Sequence, residues 1–193
     1  MSGTDTRPLR PRHTLSPRAR RSAATAGPPP PMTASFAIAE AEVDLTALSG
    51  DIVAYVAKAA VEAIPAGPVH LAAGPNATVI RDADQLSLAG LRRRLNQPGT
   101  EPAEAGATIT LAESSLLSEI VPPEPGQLGT LVLGAARERP AVMRTSGGDP
   151  AIAIRSFARL TFSYDQRSLP RSDIIRFLTA VQHRLETPWT SAG

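Results

Sequence analysis

Tyr164-Asp165-Gln166-Arg167 sets a phenol, a carboxylate, a carboxamide and a guanidinium in four consecutive positions. Some fifty residues earlier, Thr110, Glu113, Ser114 and Ser115 offer three hydroxyls and a second carboxylate. Gln166, Tyr164 and Glu113 are suited to orienting a ligand by hydrogen bonds. A carboxamide is no base near neutral pH, so Gln166 cannot take a proton. The three histidines, His13, His70 and His183, stand apart from one another. A lone His on a strand or an exposed helix side is more often solvated or satisfied than catalytic. There is no Cys, and therefore no disulfide, thiol nucleophile or thiolate metal site. No Ser-His-Asp order, phosphate-cradling Gly loop or metal-ligand spacing occurs.

The elements that must hold these groups follow from periodicity. Ile152, Ile154, Leu160, Phe162 and Tyr164 alternate with Ala153, Arg155, Arg159, Thr161 and Ser163, the pattern of a half-buried strand. Ile174, Phe177, Leu178, Val181 and Leu185 then recur at helical spacing. Upstream, the residues predict a strand over Ser35–Val43 and a helix over Ile52–Ile64 capped by Ser49 or Asp51. A hairpin of Val69–Ala73 with Ala77–Ile80 follows, then a helix from Ser87 to about Asn96. Arg92, Arg93 and Arg94 on its last turn suit the helix dipole. Short strands are expected at Ala107–Leu111 and Gln127–Ala136, and Ser114–Ile120 is open between helix and loop. Ala141–Arg144 pairs onward, and Thr145–Pro150 is a Gly-rich turn. There is no internal repeat.

A chain of 193 residues with 42% hydrophobic content is long enough for one domain with a real core. No apolar run approaches the roughly 20 residues of a membrane span, so no membrane partner and a cytoplasmic location are expected. The net charge is +2, but it is uneven: residues 1–31 hold six arginines against Asp5, about +5, which leaves the body near −3. A basic arm on a mildly acidic body does not suggest nucleic-acid binding. Residues 1–31, with seven of the nineteen prolines, are expected to be a partly disordered arm, residues 32–188 the domain, and 189–193 a tail.

Several runs carry a family resemblance. Leu160-Thr161-Phe162-Ser163-Tyr164-Asp165-Gln166-Arg167, followed by Arg176-Phe177-Leu178, resembles the pattern L-T-L-S-F-D-H-R…R-F-L of dihydrolipoyl acyltransferase catalytic domains from 2-oxo-acid dehydrogenase complexes. Val79–Leu88, VIRDADQLSL, resembles V-I-R-D-A-D-x-x-S-L. Glu42–Leu48, EVDLTAL, resembles E-V-D-V-T-A-L, and the stretch from Gln127 to Pro140 resembles Q-A-A-I-L-G-V-G-A-I-R-E-R-P. Leu15-Ser16-Pro17 with Arg18, Arg20 and Arg21 is similar to the family's entry segment. The resemblance covers roughly Leu15–Pro188. It implies an α/β fold of chloramphenicol-acetyltransferase type, a mixed sheet flanked by helices in a single domain.

In that family a His deprotonates the thiol of coenzyme A or dihydrolipoyl, an Asp four residues later supports it, and a Ser or Thr hydroxyl stabilises the oxyanion. The resemblance places Gln166 at the His position, Pro170 at the Asp position and Ala112 at the hydroxyl position. The last register is open by a residue or two, so Thr110, Ser114 or Ser115 are alternatives. Asp165 and Arg167 flank the site, where in the family they are mainly structural. About twenty channel-lining residues usual in the family are missing before the hairpin, which implies an altered pocket. Three readings follow. The fold is a repurposed pocket for an acyl or polyketide-type intermediate, with coenzyme A or a carrier-bound acyl group as the ligand to hand. Alternatively it is a non-catalytic partner of an active relative, in a mixed trimer instead of a homotrimer, or a working acyltransferase with a displaced base. Its only lysine, Lys58, lies in a predicted helix, and the sequence shows no lipoyl or peripheral-subunit-binding segment.

Overall fold

The computed structural model describes residues 36–64, 70–73, 78–97, 108–124 and 127–189. The expected arm and the hairpin turn lie outside them, as does His13. Seven strands form one mixed sheet: β1 (Phe36–Asp44), β2 (His70–Ala73), β3 (Thr78–Ile80), β4 (Thr108–Glu113), β5 (Gly129–Leu133), β6 (Arg137–Arg144) and β7 (Pro150–Asp165). Three α-helices among the described residues flank it: α1 (Ile52–Glu62), α2 (Leu88–Leu95) and α3 (Arg171–Glu186). The lateral order is β1-β7-β5-β4-β2-β3, with β6 pairing β7 alone. β2, β4 and β5 run parallel to their neighbours within that trio, and the other pairs are antiparallel.

Directly paired residues share a face of the sheet, so the register sorts side chains without ambiguity. Ala39, Phe162, Leu131 and Leu111 form one cross-sheet row, and Ala37, Tyr164, Gly129 and Ile109 the next. This face is apolar and packs under the helices; the Phe162 and Phe177 rings lie 5.0 Å apart. Gly129 is required there. A Cβ at that position would stand 2.3 Å from Phe162 Cζ and 2.7 Å from the Ser163 carbonyl oxygen.

Local signals set the element ends. Asp51 caps α1 by accepting from Ala54 N at 3.2 Å, and Ser87 caps α2 by accepting from Gly90 N at 3.2 Å. Pro170 precedes α3 with extended backbone and no side-chain cap. The segment 114–120 is irregular, not helical. No helix among the described residues is long and apolar enough to cross a membrane.

One expectation about β7 is corrected. Its alternation is kept throughout, but Ile152 and Ile154 are 77% and 62% exposed instead of half-buried. Residues 150–155 of β7 have β6 as their one strand neighbour among the described residues, in a two-stranded arm. Periodicity fixes which way a side chain points, not whether anything covers it.

Candidate functional site

The motif Val79–Leu88 is a structural joint. Asp82 takes a left-handed conformation, φ 49°, and its N–H donates to His70 Nδ1 at 3.2 Å. Ala83–Gln85 make a 3₁₀ turn leading to α2, and the Asp84 carbonyl accepts from Lys58 Nζ at 3.2 Å. His70 and Lys58 are therefore occupied in holding β2, β3 and α1 together. His183 lies exposed on α3, and its carbonyl accepts from Thr187 N at 3.1 Å.

Asp44 and Thr46 tie the end of β1 to the root of the arm. Asp44 accepts from Thr46 Oγ1 at 2.6 Å and from Arg155 Nε at 2.7 Å, while Thr46 Oγ1 accepts from Ser156 N at 2.8 Å. Burial works to raise the Asp44 pKa, but the hydrogen bonds from Thr46 and Arg155 outweigh it and hold the carboxyl below its ordinary value.

At the opposite end of β7 stands the turn Asp165–Leu169. Asp165 accepts from Arg167 N at 2.9 Å and Nε at 3.1 Å on one oxygen, and from Nη2 at 3.1 Å on the other. These bonds hold the Asp165 pKa below the usual carboxylate value and push that of Arg167 up. Asp165 is thus ionised and neutralised, a poor proton acceptor. Gln166 is exposed on the turn between them. Pro170 follows, exposed, and its carbonyl accepts from Asp173 N at 3.0 Å to start α3.

The hydroxyl candidates separate by row. Thr110, Thr130, Ser163 and Ile38 form one cross-sheet row on the face away from the helices, and Ala112, Val132, Thr161 and Glu40 the next. Thr110 stands in the row nearer the Gln166 end of β7. Ala112 is two residues further along, about 6.6 Å at ~3.3 Å per residue. Thr110 Oγ1 donates to Gln127 Oε1 at 2.7 Å. Ser114 Oγ accepts from Leu116 N at 3.1 Å, and Ser115 and Glu113 are exposed where β4 ends. Tyr164 is buried on the opposite, helix face, stacked on Phe162 with ring centroids 6.0 Å apart. The structure therefore does not gather the candidates in one place. Gln166, Asp165 and Arg167 are together, Thr110 shares their end of the sheet, and Tyr164 faces away.

A polar cluster that sequence reasoning missed lies in these two rows. Ser118 Oγ donates to Glu40 Oε1 at 2.6 Å and sits 3.0 Å from Thr161 Oγ1, which is itself 3.1 Å from Glu40 Oε1. The Ser118 bond foremost, with Thr161 and Arg159 assisting against desolvation, holds Glu40 below its ordinary pKa. Thr130, Thr161 and Ser163 are buried, and Ser163 Oγ has no hydrogen-bond partner. The segment 114–124 meets Thr161 through Ser118 and lies close to the end of β5: Ala135 N donates to the Leu116 carbonyl at 2.7 Å, and a Cβ on Gly134 would meet the Leu117 carbonyl oxygen at 2.2 Å. The available signal was Thr161 and Ser163 alternating with Phe162, polar residues inside a strand whose second face is also buried. Among the described residues there is no group of His, Asp and Glu able to hold a metal.

A mixed sheet flanked by helices is the chloramphenicol-acetyltransferase-like fold. A chloramphenicol acetyltransferase superposes with a TM-score of 0.50 at 14% identity, over 78% of this chain and 85% of that one. A probable dihydrolipoamide acetyltransferase from Listeria monocytogenes superposes with a TM-score of 0.64 at 19% identity, over 95% of both chains. In sequence, the dihydrolipoyllysine-residue acetyltransferase component of the pyruvate dehydrogenase complex of Mycobacterium bovis is 38% identical over 122 residues, 56% of this chain and 22% of that protein. The chain is a relative of the dihydrolipoyl acyltransferases of 2-oxo-acid dehydrogenase complexes, and its described domain has the fold of their catalytic domains. It spans about a fifth of the length of that curated relative. No family model matches the sequence.

Proposed function

We propose that this acyltransferase-like domain holds an acyl or polyketide-type intermediate, bound to coenzyme A or a carrier, by shape and hydrogen bonding instead of deprotonating a thiol. The observation that carries this reading is the composition of the turn after β7. It presents the Gln166 carboxamide between an Asp165 and an Arg167 that neutralise each other, and Pro170 supplies no side-chain acceptor beside them. A carboxamide donates and accepts hydrogen bonds without exchanging a proton, which suits orientation of a thioester carbonyl. Thr110, at the same end of the sheet, is the hydroxyl best placed to assist.

The test is a thiol-acylation assay with acetyl-coenzyme A as donor and dihydrolipoamide as acceptor, run beside calorimetric titration with acetyl-coenzyme A. Binding without turnover above the uncatalysed rate is expected, weakened by Gln166→Ala. Turnover that rises with pH through a single ionisation would overturn the reading in favour of a displaced base.

A second reading, a structural partner that assembles as a homotrimer or in a mixed trimer with an active relative, is favoured by the arm. Val142, Ile152 and Ile154 are exposed on it, and Val142 pairs directly with Ile152. A two-stranded ribbon with a bare apolar face is marginal in water and is stabilised by covering that face.

A further inference from the structure

The structure assigns a second interaction site, at the free edge of β1. β1 ends the sheet, so one side of its backbone has no strand neighbour among the described residues. Which residues present that side follows from two side-chain contacts. Gln182 Nε2 donates to the Glu42 carbonyl at 3.1 Å, and Asp44 N donates to Glu186 Oε1 at 3.1 Å. In an antiparallel pair, residues alternate between bonding the neighbour and facing away from it. Residues 42 and 44 face away, so Ile38 and Glu40 do too. Their N–H and C=O groups line a groove of about 490 Å³ between β1 and α3. Gln182 and Glu186 of α3 close the groove beyond Glu40 by occupying the next outward groups.

The walls fit an extended polypeptide. On the helix side lie Leu178 and the half-exposed Ile175, beside the small Ala39 and Ala41. On the other side project Ile38 and Glu40. Among the described residues, Glu40 Oε2 makes one long contact, 3.9 Å, to Arg159 Nη1. α3 runs alongside β1 in the same direction, so Arg171 lies ~16 Å back from Gln182, at the Phe36 end, where Tyr164 also lines the groove. A strand added antiparallel to β1 therefore points its C-terminus at Arg171 and can set a basic side chain opposite Glu40. We infer that this edge receives the extended C-terminal segment of a partner polypeptide as an additional strand. The segment has apolar residues at alternate positions, a basic residue two before the penultimate one, and its free carboxylate at Arg171. Main-chain hydrogen bonds supply affinity and the alternate side chains supply selectivity.

The probe is the synthetic pentapeptide acetyl-Val-Lys-Val-Thr-Val with a free carboxylate, followed by fluorescence polarisation and by amide exchange of the whole chain. Saturable binding with slowed exchange at the Ile38 and Glu40 amides is expected. Methylating the peptide's lysine and threonine amide nitrogens, which spares every side chain, is expected to weaken binding at least about tenfold, the loss of one or more net hydrogen bonds. Ile38→Pro is expected to do the same, since an outward N–H on an edge strand can be lost without breaking the sheet. The inference is overturned if no binding is seen at millimolar peptide, or if the methylated peptide binds equally well. It is also overturned if both amides are already protected in the chain alone, which would mean that its own arm or a second copy covers the edge.

Discussion

The turn at Asp165–Pro170 is where residue identity decides chemistry. Asp165 cannot substitute for a histidine, because the Arg167 guanidinium holds it ionised. Gln166 cannot because it does not titrate. Pro170 does double duty here: it withholds a carboxylate from the site and starts α3 without a side-chain cap. Pro170→Asp is therefore expected to stabilise the fold by about 1 kcal/mol through a new N-cap, read as a raised urea midpoint at unchanged slope. Combined with Gln166→His, it is expected to raise thiol acylation about a hundredfold over the parent chain, the low end of general-base contributions. Glu40 gives the pH prediction. Its folded pKa lies below the ordinary 4.5. The stability it contributes is complete above that value and is lost as pH falls through the lower, folded one. Urea unfolding between pH 6 and 3 is expected to show a shallower loss in Ser118→Ala than in the parent, since Ser118 is the largest source of the depression.

At the scale of elements, the segment 114–124 and the open face of the sheet form one unit. Gly134 lets the segment approach β5 and β7, because any Cβ there would meet the Leu117 carbonyl oxygen at 2.2 Å and the Arg159 carbonyl oxygen at 3.2 Å. Backbone cannot yield as a side-chain tip does. Gly134→Ala is thus expected to cost about 1–3 kcal/mol in chemical unfolding and to accelerate amide exchange at Ala135, whose N–H bonds Leu116. The strands and helices themselves were legible in the sequence. β7 and α3 follow from period-2 and helical spacing; for α1 the sequence left Ser49 and Asp51 open as caps, and the structure uses Asp51. The family frame was legible in VIRDADQLSL and in LTFSYDQR, whose roles the structure assigns to a joint and to a strand end. The Glu40–Ser118–Thr161 cluster was not legible. It joins residues 78 and 121 positions apart, and a loop with no periodicity carries its central hydroxyl. Nor could periodicity place Tyr164 and Thr110 on opposite faces, since that depends on the register between strands.

For the whole molecule, the exposed arm is the feature that a solitary domain does not explain. β6 and the first half of β7 pair over eight residues, from Arg137↔Phe157 to Arg144↔Pro150. Their root is fastened by Arg155 to Asp44 and by Arg139, which pairs with Glu42 and lies over the Phe157 ring. A firmly anchored ribbon bearing Val142, Ile152 and Ile154 in the open is built to be covered, because burying such side chains gains on the order of 1.5–3 kcal/mol each. Introducing Val142→Asp and Ile152→Asp together removes the apolar pair without touching the core, since both residues are more than 70% exposed. The doubly substituted chain is expected to keep its far-ultraviolet circular dichroism while its mass by light scattering falls from an oligomer to a monomer. If the parent chain is itself monomeric alone and gains mass only with an active acyltransferase, the arm serves mixed assembly, and the two aspartates are expected to abolish that gain. A parent that stays monomeric under both conditions would remove assembly from the account of the arm and leave the pocket reading to stand on the Gln166 turn alone.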